Sequence, residues 1–299
     1  MEFWIVASLA AALFQTVRFM LQKHLAQATL SAAGATFARF VYSAPLAVLV
    51  LVLCLFAGAR APMPGAAFWA YGAVGGAAQI TATVCTVLLF GRRNFAVGIT
   101  FIKVEVLLTA LIGLVLLGDA VSSAGMVAIL IGVAGVLVLS GPIESTGPFW
   151  RRLLSPSAAL GLIAGALFGV SAVCYRGASL EVAADAPLLR SLITLAAVTT
   201  MQTLGMALWL TLREPQEIGR VLAAWKTAGW IGLTSMAGSY SWFTAFTLQN
   251  AAYVKAVGQV ELIFAIFASV LFFREKITAR EWLGMALLSG SILALILWL

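Results

Sequence analysis

Four charged side chains stand in runs that otherwise carry no charge: Lys103 with Glu105, and Lys255 with Glu261. An ion in hydrocarbon costs at least about 2.5–3.5 kcal/mol, so each needs a partner, water or a bound molecule. Within each pair the spacing, two or six residues, puts the side chains on different faces of a helix, so neither is a simple local ion pair. A lysine and a glutamate from different segments can grip the carboxylate and ammonium of a small zwitterion. A glutamate alone can carry a proton. The plainer arrangement is pairing across helices, for example Lys103 to Glu261.

Uncharged polar residues fall into stripes at helical spacing. Gln79, Thr83 and Thr86 form one, and Ser235, Ser239 and Trp242 form another 156 residues later. Matched stripes suit two walls of one cavity, although Ser and Thr also join membrane helices by hydrogen bonds. Ser8, Gln15, Arg18 and Gln22 share one broad face. The candidate ligand-binding residues are therefore Gln15, Tyr42, Gln79, Thr83, Lys103, Ser239, Tyr240, Trp242 and Lys255, with Glu105 and Glu261 as proton carriers or charge partners. The aromatic rings of Tyr42, Tyr240 and Trp242 can stack on a ligand. Arg18 and Arg39 are expected to snorkel to the membrane boundary. His24 is the one histidine, and Cys54, Cys85 and Cys174 lie in apolar runs. No metal, cofactor or catalytic residue is expected.

The elements that must hold these residues are membrane helices. Sixty-three per cent of the 299 residues are hydrophobic and 10% are charged, against about 25% charged in soluble domains. About 20 apolar residues cross a bilayer as a helix, and the alternation of a membrane barrel is absent. The pattern predicts ten spans, 3–22, 34–56, 67–90, 95–117, 124–141, 157–176, 186–212, 225–248, 251–273 and 281–299. Eleven basic residues fall in the odd-numbered loops: Lys23, Arg92, Arg93, Arg151, Arg152, Arg213, Arg220, Lys226, Arg274, Lys276 and Arg280. Only Arg60 and Arg176 fall on the other side. Basic residues stay cytoplasmic, so both termini are expected in the periplasm, across a bacterial inner membrane. The net charge of +7 follows from that topology and calls for no nucleic acid.

Asn94, Glu105 and Asp119 recur as Asn250, Glu261 and Glu275, all at an interval of 156 residues. Gly76 and Phe90 recur as Gly232 and Phe246 at the same interval. Two halves of five spans enter the membrane from opposite faces. Such an inverted repeat marks secondary transporters and puts the site between the halves near the midplane. The expected fold is all-α and integral to the membrane, ten transmembrane helices as two five-helix inverted repeats. Its units are residues 1–145, a cytoplasmic linker 146–156, and residues 157–299.

The layout resembles the EamA-type drug/metabolite transporter superfamily. The resemblance rests on the two five-helix halves, on fourth helices running into Leu-Gly-Asp (117–119) and Phe-Arg-Glu (273–275), and on glycine-bearing fifth helices with Gly125, Gly132, Gly135, Gly284 and Gly290. The family often has Pro where this chain has Val106 and Leu262. The resemblance implies alternating access and export of small metabolites, amino acids among them. The expected cargo is amino acids, aromatic or broad, and the protein is expected to stand as a monomer in the lipid bilayer. Multidrug or organic-cation efflux is the alternative, and it requires Glu105 or Glu261 in an open aromatic cavity without a lysine nearby. A membrane enzyme acting on lipid headgroups needs clustered His, Asp or Glu, where only scattered acids stand.

Overall fold

The computed structural model describes residues 2–108, 155–249 and 251–298, together with 127, 130–132, 134, 135 and 138. Among the described residues there are eleven α-helices and no strand. Six helical stretches among the described residues are long and apolar enough to cross a membrane. They are α1 (Phe3–Ala28), α2 (Ala32–Phe56), α3 (Ala66–Phe90), α5 (Pro156–Leu180), α6 (Pro187–Arg213) and the segment Tyr253–Phe272. Between them α4 spans Phe95–Ile102, α7 Pro215–Ala223, α8 Trp225–Leu248, α9 Ala251–Val257 and α10 Glu261–Phe267, and α11 closes the order at Ala279–Trp298. Residues 109–117 of the expected fourth span, most of the span expected over 124–141, most of the linker 146–156, and Asp119, Gly125 and Asn250 lie outside the described residues.

Local chemistry sets the helix starts. Ser31 accepts from Gly34 N at 3.0 Å and Ser155 from Ala158 N at 3.2 Å, which satisfies first-turn amides that have no partner within the helix. Pro156, Pro187 and Pro215 occupy opening positions, where the missing N–H costs nothing. Beyond α2 the chain turns on Gly58 at φ 94°, a conformation glycine adopts without strain.

Four departures from the sequence reading stand out. α1 runs on to Ala28, so Lys23 is a buried helix residue rather than a loop residue. α7 is an additional short amphipathic helix in what the hydropathy reads as a loop. Its Val221 and Glu217 are buried while the Arg220 side chain is 56% exposed. The ninth span is broken: α9 passes into a 3-10 turn at Gly258–Val260, then α10, then a π-helical turn at Ala268–Phe272. The fourth is broken as well, where the backbone leaves the helix at Lys103 and resumes at Val104.

α1 lies along α8, α3 along α5, and α2 against both α6 and α8. Large apolar side chains such as Leu53, Leu204, Leu208 and Leu271 point out of the bundle, where lipid tails are their solvent. The interior is instead rich in small and hydroxyl residues, which let helices approach closely. Gly165 on α5 is the tightest case for the centre of the protein. A Cβ there would stand 2.9 Å from Ile102 O and 3.0 Å from Glu105 N. The residue therefore sets how near the broken fourth span comes to α5.

Gly165→Ala is expected to cost about 1–3 kcal/mol, because besides the Val104 side chain at 2.7 Å two backbone atoms stand in its way. Thermal unfolding of the detergent-purified protein measures it, and parent-like stability would mean that the backbones can part freely.

Candidate functional site

The two helix breaks occur at equivalent places. Lys103 moved along by the repeat interval of 156 falls on Gln259, the middle of the 3-10 turn. At the first break Val106 N donates to Lys103 O at 3.2 Å, a tightened turn. Glu105 and Glu261 stand just past these breaks, and both are buried.

The close ion pairs join the two halves of the chain. Lys103 Nζ pairs with Glu261, and Lys255 Nζ reaches Glu105 Oε2 at 3.2 Å. Lys103 also comes within 4.0 Å of Glu105 Oε1, a within-half contact that a continuous helix would disfavour and the break permits. Gln15 of α1 donates from Nε2 to Glu261 Oε2 at 2.9 Å and accepts from Trp242 Nε1 at 3.0 Å. Lys255 Nζ sits 4.9 Å above the Trp242 ring, a cation–π contact strengthened by desolvation. Gly258 makes room for that ring, since a Cβ there would stand 2.5 Å from its edge.

Two small adjoining cavities open on this network. One is lined by Gln15, Phe19, Lys103, Glu105, Phe168, Lys255 and Glu261 among others. The other meets Gln15, Gln79, Ser239, Lys255 and the rings of Phe168, Tyr175, Trp242, Phe243 and Phe246. Glu261 Oε1 and Gln259 Oε1 are buried without a hydrogen bond. On the far wall Tyr175 OH donates to Gln79 Oε1 at 3.0 Å, and Gln202 Nε2 donates to Gln79 Oε1 at 3.0 Å and to Gly76 O at 3.1 Å.

Gln15, Gln79, Lys103, Glu105, Ser239, Trp242, Lys255 and Glu261 are thus brought together. Thr83 lies behind the wall, bonded to Arg39. Tyr42 and Tyr240 are corrections. The Tyr42 hydroxyl donates to Val221 O of α7 at 3.3 Å, and that of Tyr240 to Leu188 O at 3.2 Å. Both phenols answer a neighbouring carbonyl away from the cavity.

Arg18 and Arg39 do not snorkel, for they are 2% and 3% exposed. Because α1 continues to Ala28, Arg18 stands about 15 Å from that end of its helix, too far for its side chain to reach the boundary. The sequence reading missed Phe168, Tyr175, Phe243, Phe246 and Gln202. Interior phenylalanines look like packing in any membrane helix, and the lone Gln202 in an apolar span was the one available signal. The organic-cation arrangement is also not what stands here, since each glutamate is held by a lysine.

A second polar node closes the end of the bundle where α1 finishes. Glu275 takes Lys23 and accepts from Phe95 N at 2.7 Å and from Ser269. Asn94 Nδ2 donates to Lys276 O at 2.9 Å. Beside it Glu217 of α7 accepts from Ser31 N at 2.8 Å. These carboxylates serve backbone amides at the starts of α4 and α2, where the helix dipole favours negative charge.

A multi-helix membrane bundle holding a buried polar and aromatic cavity is suited to passing small molecules. The comparison with protein families bears this out: residues 155–297 match the EamA-like transporter family. That segment is an EamA-like transporter domain, and with its six long apolar helices the protein is a multi-pass membrane protein. No curated protein matches the sequence. A solved structure described only as "Crystal structure of protein" superposes with a TM-score of 0.62 over 98% of this chain and 96% of that one, at 15% identity. It shares the fold.

Breaking one central pair leaves its partner buried and uncompensated, at about 3–5 kcal/mol. Lys103→Met and Glu261→Leu are each expected to lose that much stability and the double variant to recover most of it, read by thermal unfolding. Additive losses would mean the pair is no unit.

Proposed function

We propose that this protein is a secondary transporter that exports small metabolites, amino acids among them, across a bacterial inner membrane by alternating access. On this reading it is not an enzyme, and its moving parts are residues 1–145 and 157–299, joined by the cytoplasmic linker 146–156, as inverted five-helix repeats with both termini periplasmic. It works as a monomer.

The carrying observation is the ring of charges at the helix breaks, in which each glutamate is held by a lysine from the other half of the chain. A cavity between two such sets lies where broken helices of transporters present their ligand groups. Reciprocal packing supports the two-fold relation. The first helix of one half lies on the third of the other in both senses, α1 on α8 and α3 on α5, while α2 meets α6, its own counterpart. An isologous contact has this form. The aromatic rings supply an apolar wall, and Gln15, Gln79 and Ser239 supply hydrogen bonds that fix orientation.

Flux of candidate amino acids into liposomes, with and without a pH gradient, tests the reading. Trp242→Ala and Gln15→Ala are expected to remain folded and monodisperse and to lose at least about tenfold in flux, the loss of one good hydrogen bond or stacking contact. Parent-like flux in both would remove the cavity from the path. A reporter fused after residue 299 is expected to read as periplasmic and one inserted in 146–156 as cytoplasmic. The reverse pattern would overturn the orientation.

A further inference from the structure

Among the described residues the charges inside the bundle do not balance, even with the buried Glu217 counted. Lys103 and Lys255 are answered by Glu261 and Glu105, and Lys23 by Glu275. Arg18 and Arg39 are as deeply buried, and neither forms an ion pair among the described residues. Arg18 donates to Gln22 of its own helix and lies over the Phe19 ring.

Arg39 is placed differently. It donates from Nη1 to Thr83 Oγ1 at 3.0 Å and from Nη2 to Ser239 Oγ at 3.3 Å, across to α3 and α8. Its Nε–H is buried and donates to nothing. A guanidinium has five donors in a planar fork that matches a carboxylate. Here two are spent on neutral hydroxyls, and no carboxylate among the described residues forms an ion pair with the others. Ser239 lines the aromatic cavity, and Thr83 is one turn from Gln79, which lines it too. Ser239, accepting from Arg39, keeps its own O–H for a further acceptor.

We infer that Arg39 is the anchor for a carboxylate of the transported molecule, so that the cargo is an organic acid with a ring-sized apolar body, whose carboxylate is required and whose ammonium is dispensable. The inference rests on the transport reading of this cavity and names what that cavity selects. Charge decides it. An anion lowers the excess positive charge of the interior, a zwitterion leaves it unchanged, and a cation raises it. Glu261 Oε1 is open to a donor, but the same carboxylate already holds Lys103 and Gln15 on its other oxygen. An ammonium there would put a second cation on one anion. The five rings around the cavity take the apolar body.

Three probes that share a phenylethyl body test this on the detergent-purified full chain: phenylpropionate, phenylalanine and phenethylamine. Titration calorimetry is expected to show both acids binding and the amine at least about tenfold weaker, the worth of a lost charged hydrogen bond. Arg39→Gln is expected to weaken both acids by about tenfold or more and to leave the amine unchanged. Ser239→Ala, a small change at the cavity wall that folds whatever becomes of Arg39, is expected to weaken the acids about three- to tenfold.

The amine binding as tightly as the acids, no binding by any probe, or parent-like acid binding in Ser239→Ala or in a folded Arg39→Gln overturns the assignment. Flux of the same probes in liposomes separates the two readings. Acids that bind while no probe moves would refute transport and leave Arg39 as the anchor. Movement of the amine alone would refute the anchor and leave transport standing.

Discussion

A charge in hydrocarbon must be answered, and in this chain the answers come from far along the sequence. Lys103 and Glu261 are 158 residues apart, and Lys255 and Glu105 are 150 apart. The pairs therefore hold the first half against the second at the level where both broken helices end. Any motion that widens the cavity must stretch them, and the charges so released need water or a ligand in their place. The same atoms stabilise the closed arrangement and are the groups a polar ligand would meet.

The backbone breaks are the means by which those charges reach one another. A continuous helix would carry Lys103 and Glu105 away from each other on different faces. The break at Lys103 turns both toward α5 and the 3-10 turn, and Gly165 permits the approach. On the other side Gly258 admits the Trp242 ring, which carries Lys255 on its face and Gln15 on its nitrogen. Small residues and side-chain charges thus act together, the former setting distances that the latter require.

Much of this was legible in the sequence because hydropathy and charge spacing are local signals. The long helices, the interval of 156 residues and the buried charges Glu105 and Glu261 follow from residue types and positions, and the pairing of Lys103 with Glu261 was one of the arrangements they left open. What was not legible depends on where helices end and which way they face. The six extra residues of α1 moved Lys23 and Arg18 inward, although nothing in their neighbours' hydropathy distinguishes them from boundary residues. Tyr42 and Tyr240 sit in suitable spans, but their rings face α7 and Leu188, a rotational choice fixed by packing. α7 is too short to register in a window sized for a membrane span. Phe168 and Phe246 differ from packing phenylalanines only in having a cavity beside them.

The distance in sequence between partners also has a consequence for biogenesis. A ribosome adds about 5–20 residues per second, so Lys103 enters the bilayer on the order of 10–30 s before Glu261 exists. Lys23 waits longer for Glu275, 252 residues on. Through that interval the nascent first half holds Lys23 in lipid without Glu275 and Lys103 with Glu105 as its sole described counter-charge, and Ser31 lacks the carboxylate of α7. The half-made protein must therefore linger at the insertion machinery or draw water and lipid headgroups inward around those side chains. Its passage to the finished bundle is a late, cooperative closing rather than a helix-by-helix accumulation of stability.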